Sequence, residues 1–293
     1  MESINKFKSV TVEVDVNANL DKVWEFWNTP KHITKWYYAS NDWHSPAAEN
    51  NPVKGGKFRI RMESFDGKMG FDFEGVYDEI IENKLIEYSL ADGRKVKIRF
   101  TENNGITHIS ETFDLENENP EEMQRQGWQN ILNNFKKYAQ SIDKMVPLNF
   151  SIEIDAGADV VYKNLIGAES YKEWTKIFNE TSHYIGSWEK GSKILFVGTD
   201  DKGNKGGMVS FIAENIPDKF ISIAHRGILK GDEEIMDGPE VETWAGVYEN
   251  YTLTPGNGKT KFNAYIDSNM EFKDYFSETY PKALDVLKKL CEK

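Results

Sequence analysis

The sequence predicts an α+β protein made of two tandem domains, 1–142 and 147–293. Each is a curved antiparallel sheet wrapped on a long C-terminal helix, with two short helices after the first strand. Three observations lead there. The chain, 293 residues long, repeats itself; at about 150 residues per domain that length suits two copies of one unit. Alternation of period two recurs through each half, as strands with one buried face require. Each half closes on an apolar stripe of helical spacing.

The opening elements show the repeat first. Residues 14–36 (VDVNANLDKVWEFWNTPKHITKW) superpose without gaps on 152–174 (IEIDAGADVVYKNLIGAESYKEW). Leu20, Val23, Trp24 and Trp27 fall at i, i+3, i+4 and i+7, as do Ala158, Val161, Tyr162 and Leu165, giving one face of a short helix after a strand. In the middle, 75–83 (GVYDEIIEN) aligns with 207–215 (GMVSFIAEN), an offset of 132. Alternation predicts strands over 57–63, 70–77, 85–90, 95–101 and 107–113. Asp92-Gly93 reads as a two-residue hairpin, and Asn104-Gly105 closes the next turn. Asn119-Pro120-Glu121-Glu122 starts the last helix, with a cap, a proline at the first position and acids at the positive dipole end. Its stripe, Trp128, Ile131, Leu132, Phe135, Tyr138 and Ala139, matches Tyr280, Ala283, Leu284, Leu287, Leu290 and Cys291. A linker near 141–147 joins the copies.

Composition narrows the function. The net charge of −12 divides evenly between the halves, and the pI is near 5.1 with no Lys/Arg cluster. That argues against nucleic acid and anionic membrane surfaces as partners, since phosphates need a positive footprint. No apolar run reaches the roughly 18 residues of a membrane span, and the first ten residues lack the apolar core of a signal peptide; a cytoplasmic location is the expectation. Cys291 is the one cysteine, which excludes disulfides within the chain and cysteine-based zinc sites. His32, His44, His108, His183 and His225 show no metal-ligand spacing, and neither HExxH nor GxSxG occurs. No metal and no cofactor are expected, and catalysis has no positive signal.

The first copy resembles the activator of Hsp90 ATPase homologue family within the START-like, helix-grip (SRPBCC) superfamily that includes Bet v 1-type proteins. The residues carrying the resemblance are the opening 12–24, ending in Val23-Trp24, then Trp36-Tyr37 and Lys54-Gly55-Gly56-Lys57-Phe58-Arg59. Gly75-Val76-Tyr77 running into Ile80 follows, then Gly127-Trp128 with Ile131, Leu132 and Phe135. The second copy keeps Trp174, Lys190-Gly191 and Gly207 but has Thr279-Tyr280-Pro281 where the first has Gly127-Trp128-Gln129. The resemblance implies a cavity between the long helix and the concave sheet. The superfamily uses such a cavity for lipids, hormones and polyketides, and sometimes for catalysis; the fold licenses a pocket, not a function.

Candidate site residues are polar groups sharing a face with apolar neighbours. On 107–113 the inward set is Thr107, Ile109, Glu111 and Phe113, so Glu111 points into the domain. In the second copy His225 shares a face with Ile221 and Ile223, and Glu249 with Tyr251 and Leu253. An inward Glu or His is either a structural group with a buried partner or a polar anchor at the base of an apolar pocket. Trp36, Trp43, Trp128, Trp174 and Tyr280 stand where superfamily members line the cavity, with Ile131, Phe135 and Leu284 on the helices; aromatics at helical spacing also make ordinary core. Residues 232–242 (DEEIMDGPEVE) form an acidic insertion expected to be a solvated loop at the cavity mouth.

The leading expectation is non-enzymatic binding of an apolar or amphipathic small molecule, lipid-like or polyketide-like, within each copy. The alternatives are a cavity enzyme of cyclase or hydratase type using Glu111 or His225 as acid/base, and an Hsp90-activator-like protein-interaction module.

Overall fold

The computed structural model describes residues 7–236, 238–242 and 246–293. The chain divides into two compact units between Asp143 and Lys144. In the first unit the order is β1 (Ser9–Val16), α1 (Leu20–Asn28), α2 (Pro30–Trp36), β2 (Trp43–Asn50), β3 (Lys57–Ser64), β4 (Gly70–Ile81), β5 (Leu85–Ser89), β6 (Lys95–Asn103), β7 (Ile106–Asp114) and α3 (Glu121–Ser141). Its sheet runs β1-β7-β6-β5-β4-β3-β2, every neighbour antiparallel.

The second unit repeats the order: β8 (Met145–Ile154), α4 (Ala158–Ile166), α5 (Ala168–Thr175), β9 (His183–Gly186), β10 (Lys193–Thr199), β11 (Lys205–Ile216), β12 (Phe220–Lys230), β13 (Glu233–Ile235), α6 (Pro239–Glu242), β14 (Tyr248–Gly256), β15 (Lys259–Asn269) and α7 (Lys273–Cys291). Its sheet runs β8-β15-β14-β12-β11-β10-β9, with β13 added on β12. Strand pairs of each sheet share a buried face that packs under the long helix, where Leu132, Phe135 and Ala139 of α3 and Ala283, Leu284 and Leu287 of α7 are buried. Among the described residues no helix is long and apolar enough to cross a membrane.

Matching hydrogen bonds fix how the copies align. Thr107 Oγ donates to the Ala18 carbonyl at 2.8 Å, and Thr260 Oγ donates to Ala156 at 2.8 Å. The Gly55 N–H reaches the Tyr77 carbonyl at 2.8 Å, and Gly191 reaches Ile212 at 2.8 Å. Asn104-Gly105 and Asn257-Gly258 both hold two successive positive φ angles, the mirror-image turn that suits the strand twist. Asn83 (φ 60°) and Asp218 (φ 63°) mark the β4–β5 and β11–β12 turns. These last two correct the middle alignment: the true offset is 218 − 83 = 135, not 132, so Gly75 corresponds to Ser210 rather than Gly207.

Four other expectations shift. β2 has no clean alternation and was absent from the sequence reading. Asp92-Gly93 sits in a longer connection, 90–94, closed by Gly93 N–H to the Leu90 carbonyl. The cap position of α3 is Pro120, while the Asn119 amide bonds Glu116. The join between units is a single 3₁₀ turn, Ile142–Lys144, after which β8 starts at once.

Candidate functional site

The two interiors differ sharply in what they leave empty. In the first unit the void between the short helices and the sheet measures about 30 Å³, room for about one water molecule. The second unit has an open cavity of about 1090 Å³ beneath α7, the size of a large ligand pocket. Side-chain size accounts for much of the contrast. At positions equated by strand register, Phe58, Phe73, Tyr77, Tyr88, Phe100 and Phe113 of the first unit stand as Ile194, Met208, Ile212, Ile223, Leu253 and Ile266 in the second. On the opening helices Trp27 becomes Leu165, and on the long helices Phe135 becomes Leu287. At the rim Phe71 becomes Gly206, and a Cβ on the adjacent Gly207 would lie 1.9 Å from the Phe196 carbonyl oxygen.

In the first unit Glu111 sits on β7 opposite Val12 and Ile98 and is 3% exposed. It lines the small void with Trp36, Tyr37, Phe58, Tyr77 and Tyr88. No described group hydrogen-bonds or ion-pairs with it. Arg59 and Lys97 point to the opposite face, where they pair with Glu49 and Glu87. Burial alone pushes its carboxyl up to about 8, because a charge there has nothing to replace water.

The second unit carries a connected polar cluster. A bulge at Arg226 of β12 sets His225 opposite Ser210 of β11. Ser210 Oγ lies 2.8 Å from His225 Nδ1, and His225 Nε2 lies 3.6 Å from Glu249 Oε2. Tyr251, two residues along β14 on the same face, donates its hydroxyl to Glu249 Oε1 at 2.7 Å. The Tyr280 hydroxyl, reaching down from α7, donates to the same oxygen. Burial pushes the Glu249 carboxyl up, but the adjacent His225 and the two phenol bonds outweigh it, leaving it below the usual range. Tyr251 and Tyr280 are driven well above the usual tyrosine range by burial and the adjacent carboxylate, and stay neutral donors. Ser210 is fully buried and does not line the cavity, so in the Ser-His-Glu sequence it orients His225 rather than facing a ligand.

The structure therefore brings Trp174, His225, Glu249 and Tyr280 together on one cavity, and sets Trp36 and Glu111 on the small void. Trp128, Ile131 and Phe135 pack in the first core, and Leu284 in the second, without lining either space. Trp43 starts β2 and leans on Phe71, 5.9 Å between rings, away from the void. Tyr251, Phe178 and Phe276 line the large cavity and were missed. Phe276 and Tyr280 are spaced i, i+4, so carrying the helical stripe one turn further back would have found the first of them.

The acidic insertion is not an open loop. Residues 233–235 add β13 to the sheet, and Val241 is buried. Asp232, Glu234 and Glu240 pair with Lys205, Lys193 and Lys230 at 2.9, 2.8 and 3.1 Å. Asp237 lies outside the described residues.

Comparison with known proteins places the first unit. The family model described as activator of Hsp90 ATPase homolog 1-like protein matches residues 17–140. The AHSA1-like protein from Aeromonas hydrophila is 34% identical, over 46% of this chain and 94% of that one, with a TM-score of 0.45. The chain belongs to the AHSA1-like family. Chr148 from Cytophaga hutchinsonii is 54% identical over 44% of this AHSA1-like chain and 90% of its own, with a TM-score of 0.41. The di-domain ARO/CYC BexL from the BE-7585A biosynthetic pathway aligns over 97% of both chains at 8% identity and a TM-score of 0.49. No curated protein matches. The family model reaches only the first copy; shared register, turns and hydrogen bonds give the second copy the same helix-grip fold.

Proposed function

We propose that this AHSA1-like chain is a small-molecule binding protein in which the second domain holds the ligand and the first is a filled copy. The reading rests on one contrast: a cavity of about 1090 Å³ against a void of about 30 Å³ in the same fold. The ligand is apolar over most of its surface, because Trp174, Phe178, Phe196, Ile266 and Phe276 form the wall. His225 and Glu249 are its polar anchor. The test restores first-domain residues to the second. Met208→Phe with Ile266→Phe puts back the rings of Phe73 and Phe113 at lining positions. The neutral dye Nile red should bind the full chain at one site, and the double variant should weaken that binding at least about tenfold, as loss of a preformed apolar pocket requires. Undiminished binding in the double variant would overturn the assignment.

One observation favours a second reading, acid–base catalysis: His225 Nε2 and Glu249 Oε2 lie 3.6 Å apart at the edge of an apolar cavity. Deuterium exchange next to the carbonyl of a bound ketone, lost in His225→Gln, would support it; no exchange above the solvent rate would dismiss it.

A further inference from the structure

The polar cluster on the large cavity also specifies which end group it accepts. Glu249 has two carboxylate oxygens with different surroundings. Oε1 receives both phenol hydroxyls, from Tyr251 at 2.7 Å and from Tyr280. Among the described residues Oε2 has no hydrogen bond; His225 Nε2 lies 3.6 Å away, too long for one. It belongs to a side chain that lines the cavity, so a donor on a ligand can reach it.

Most donors on the described lining are already committed. The Tyr251 and Tyr280 hydroxyl protons point at Oε1, and Thr175 Oγ donates to the Tyr171 carbonyl at 2.6 Å. Asn179, further out, gives its amide to the Thr199 carbonyl at 2.9 Å. The two lysines on the lining, Lys205 and Lys230, are rim groups paired with Asp232 and Glu240. Asp200 and Asp267 add further acid to the lining. The wall is thus rich in acceptors and negative charge; among the described residues the groups left to face a ligand beside Glu249 are His225 Nε2 and the Tyr171 hydroxyl.

Resting on the binding function proposed above, we infer that the second cavity selects molecules whose buried end donates a hydrogen bond to Glu249 Oε2, a hydroxyl or an ammonium, and rejects carboxylates. A carboxylate would place like charges together beside Glu249. An ammonium gains the charge of Glu249 and the faces of the surrounding rings as well, so the expected order is amine, then alcohol, then acid.

The test is displacement of Nile red from the full chain by four probes with one dodecyl tail: dodecylammonium, dodecan-1-ol, 1-methoxydodecane and dodecanoate, each below its micelle concentration at pH 7.5. The amine and the alcohol should displace the dye at concentrations at least about tenfold lower than dodecanoate, the scale expected for avoided like-charge contact. The methyl ether, which lacks only the donor, should be at least about fivefold weaker than the alcohol. Glu249→Gln keeps an acceptor for both phenols and adds an N–H, so it should bring dodecanoate to within about threefold of the amine. If that variant does not fold, the alcohol–ether comparison on the unaltered chain decides alone. Equal displacement by all four probes, or preference for dodecanoate, overturns the selectivity, as does discrimination persisting in Glu249→Gln. Failure of Nile red to bind at all would instead overturn the cavity's binding role.

Discussion

Replacing Glu111 with glutamine tests the first domain's interior, because the expected effect depends on pH in a way packing changes do not. The carboxyl titrates near 8 in the folded state, against an ordinary value of 4.5. Between these values the folded chain holds a proton that the unfolded chain releases. Stability therefore stands at its full value below about 4.5 and falls as pH rises, until the folded group also ionises near 8. At pH 7 the shortfall is the free energy of keeping the acid protonated 2.5 units above its unfolded pKa, about 3 kcal/mol at roughly 1.36 kcal/mol per unit. Glutamine has the same shape and carries no such penalty.

Glu111→Gln should accordingly stabilise the first domain at pH 7 by about 3 kcal/mol more than it does at pH 4. Any cost of burying the larger donor set of the amide is common to both pH values and cancels in that difference. The assay is urea unfolding of the full chain, read by pulsed hydrogen exchange and mass spectrometry on peptides spanning β1 and β7, which assigns the transition to the first domain. A variant effect that is the same at both pH values within about 0.5 kcal/mol would refute the argument. So would a variant less stable than wild type at pH 7 but not at pH 4, since that pattern needs a charged Glu111 with a favourable partner.

Trp128→Ala should cost the first domain about 3 kcal/mol, because the indole stacks on Phe113 at 4.4 Å and meets Phe73 edge-on at 5.9 Å; a loss under about 1 kcal/mol in urea unfolding would mean the stack is not a support of the sheet. Thr107→Val and Thr260→Val should each cost about 1–2 kcal/mol in their own domain, since each strips the donor from a carbonyl, Ala18 or Ala156, at the start of the first helix. Unequal losses would show that the two copies use this bond differently. A fragment of residues 1–143 contains every strand of its sheet and its long helix, and should unfold in one cooperative step by tryptophan fluorescence; a molten or insoluble product counts against the boundary.

Most of the fold was legible because it is written in period and punctuation. Thr107, Ile109, Glu111 and Phe113 alternate inward as read, and the long-helix stripe packs at Leu132, Phe135, Leu284 and Leu287. The middle alignment failed by three residues because Gly75 and Gly207 looked equivalent. What the fold keeps there is turn geometry, and Asn83 and Asp218 share that without sharing an identity. Of the site, the residue types were readable and their grouping was not. His225, Glu249 and Tyr280 come from three elements, and nothing in any one of them announces the other two. Nor does patterning show which copy is hollow. An isoleucine and a phenylalanine are equally apolar in a periodic stripe, yet exchanging them at several facing positions separates a filled core from a cavity.

The buried carboxylates make the divergence of the copies concrete. Glu111 lies on β7, where the second copy has Ala264; Glu249 lies on β14, where the first has Val96. The anchor is not one inherited group but two independent placements on neighbouring strands. Each meets the cost of burying an acid in an opposite way. Glu111 has no partner and stays protonated at neutral pH, which suits a void holding about one water. Glu249 has two phenols and an imidazole around it and stays ionised, at the edge of a space large enough for a ligand. A neutral acid in a filled core only has to be tolerated. A charged acid held by three side chains from three elements, at the edge of a space that admits a ligand, is a configuration the fold maintains against its desolvation cost.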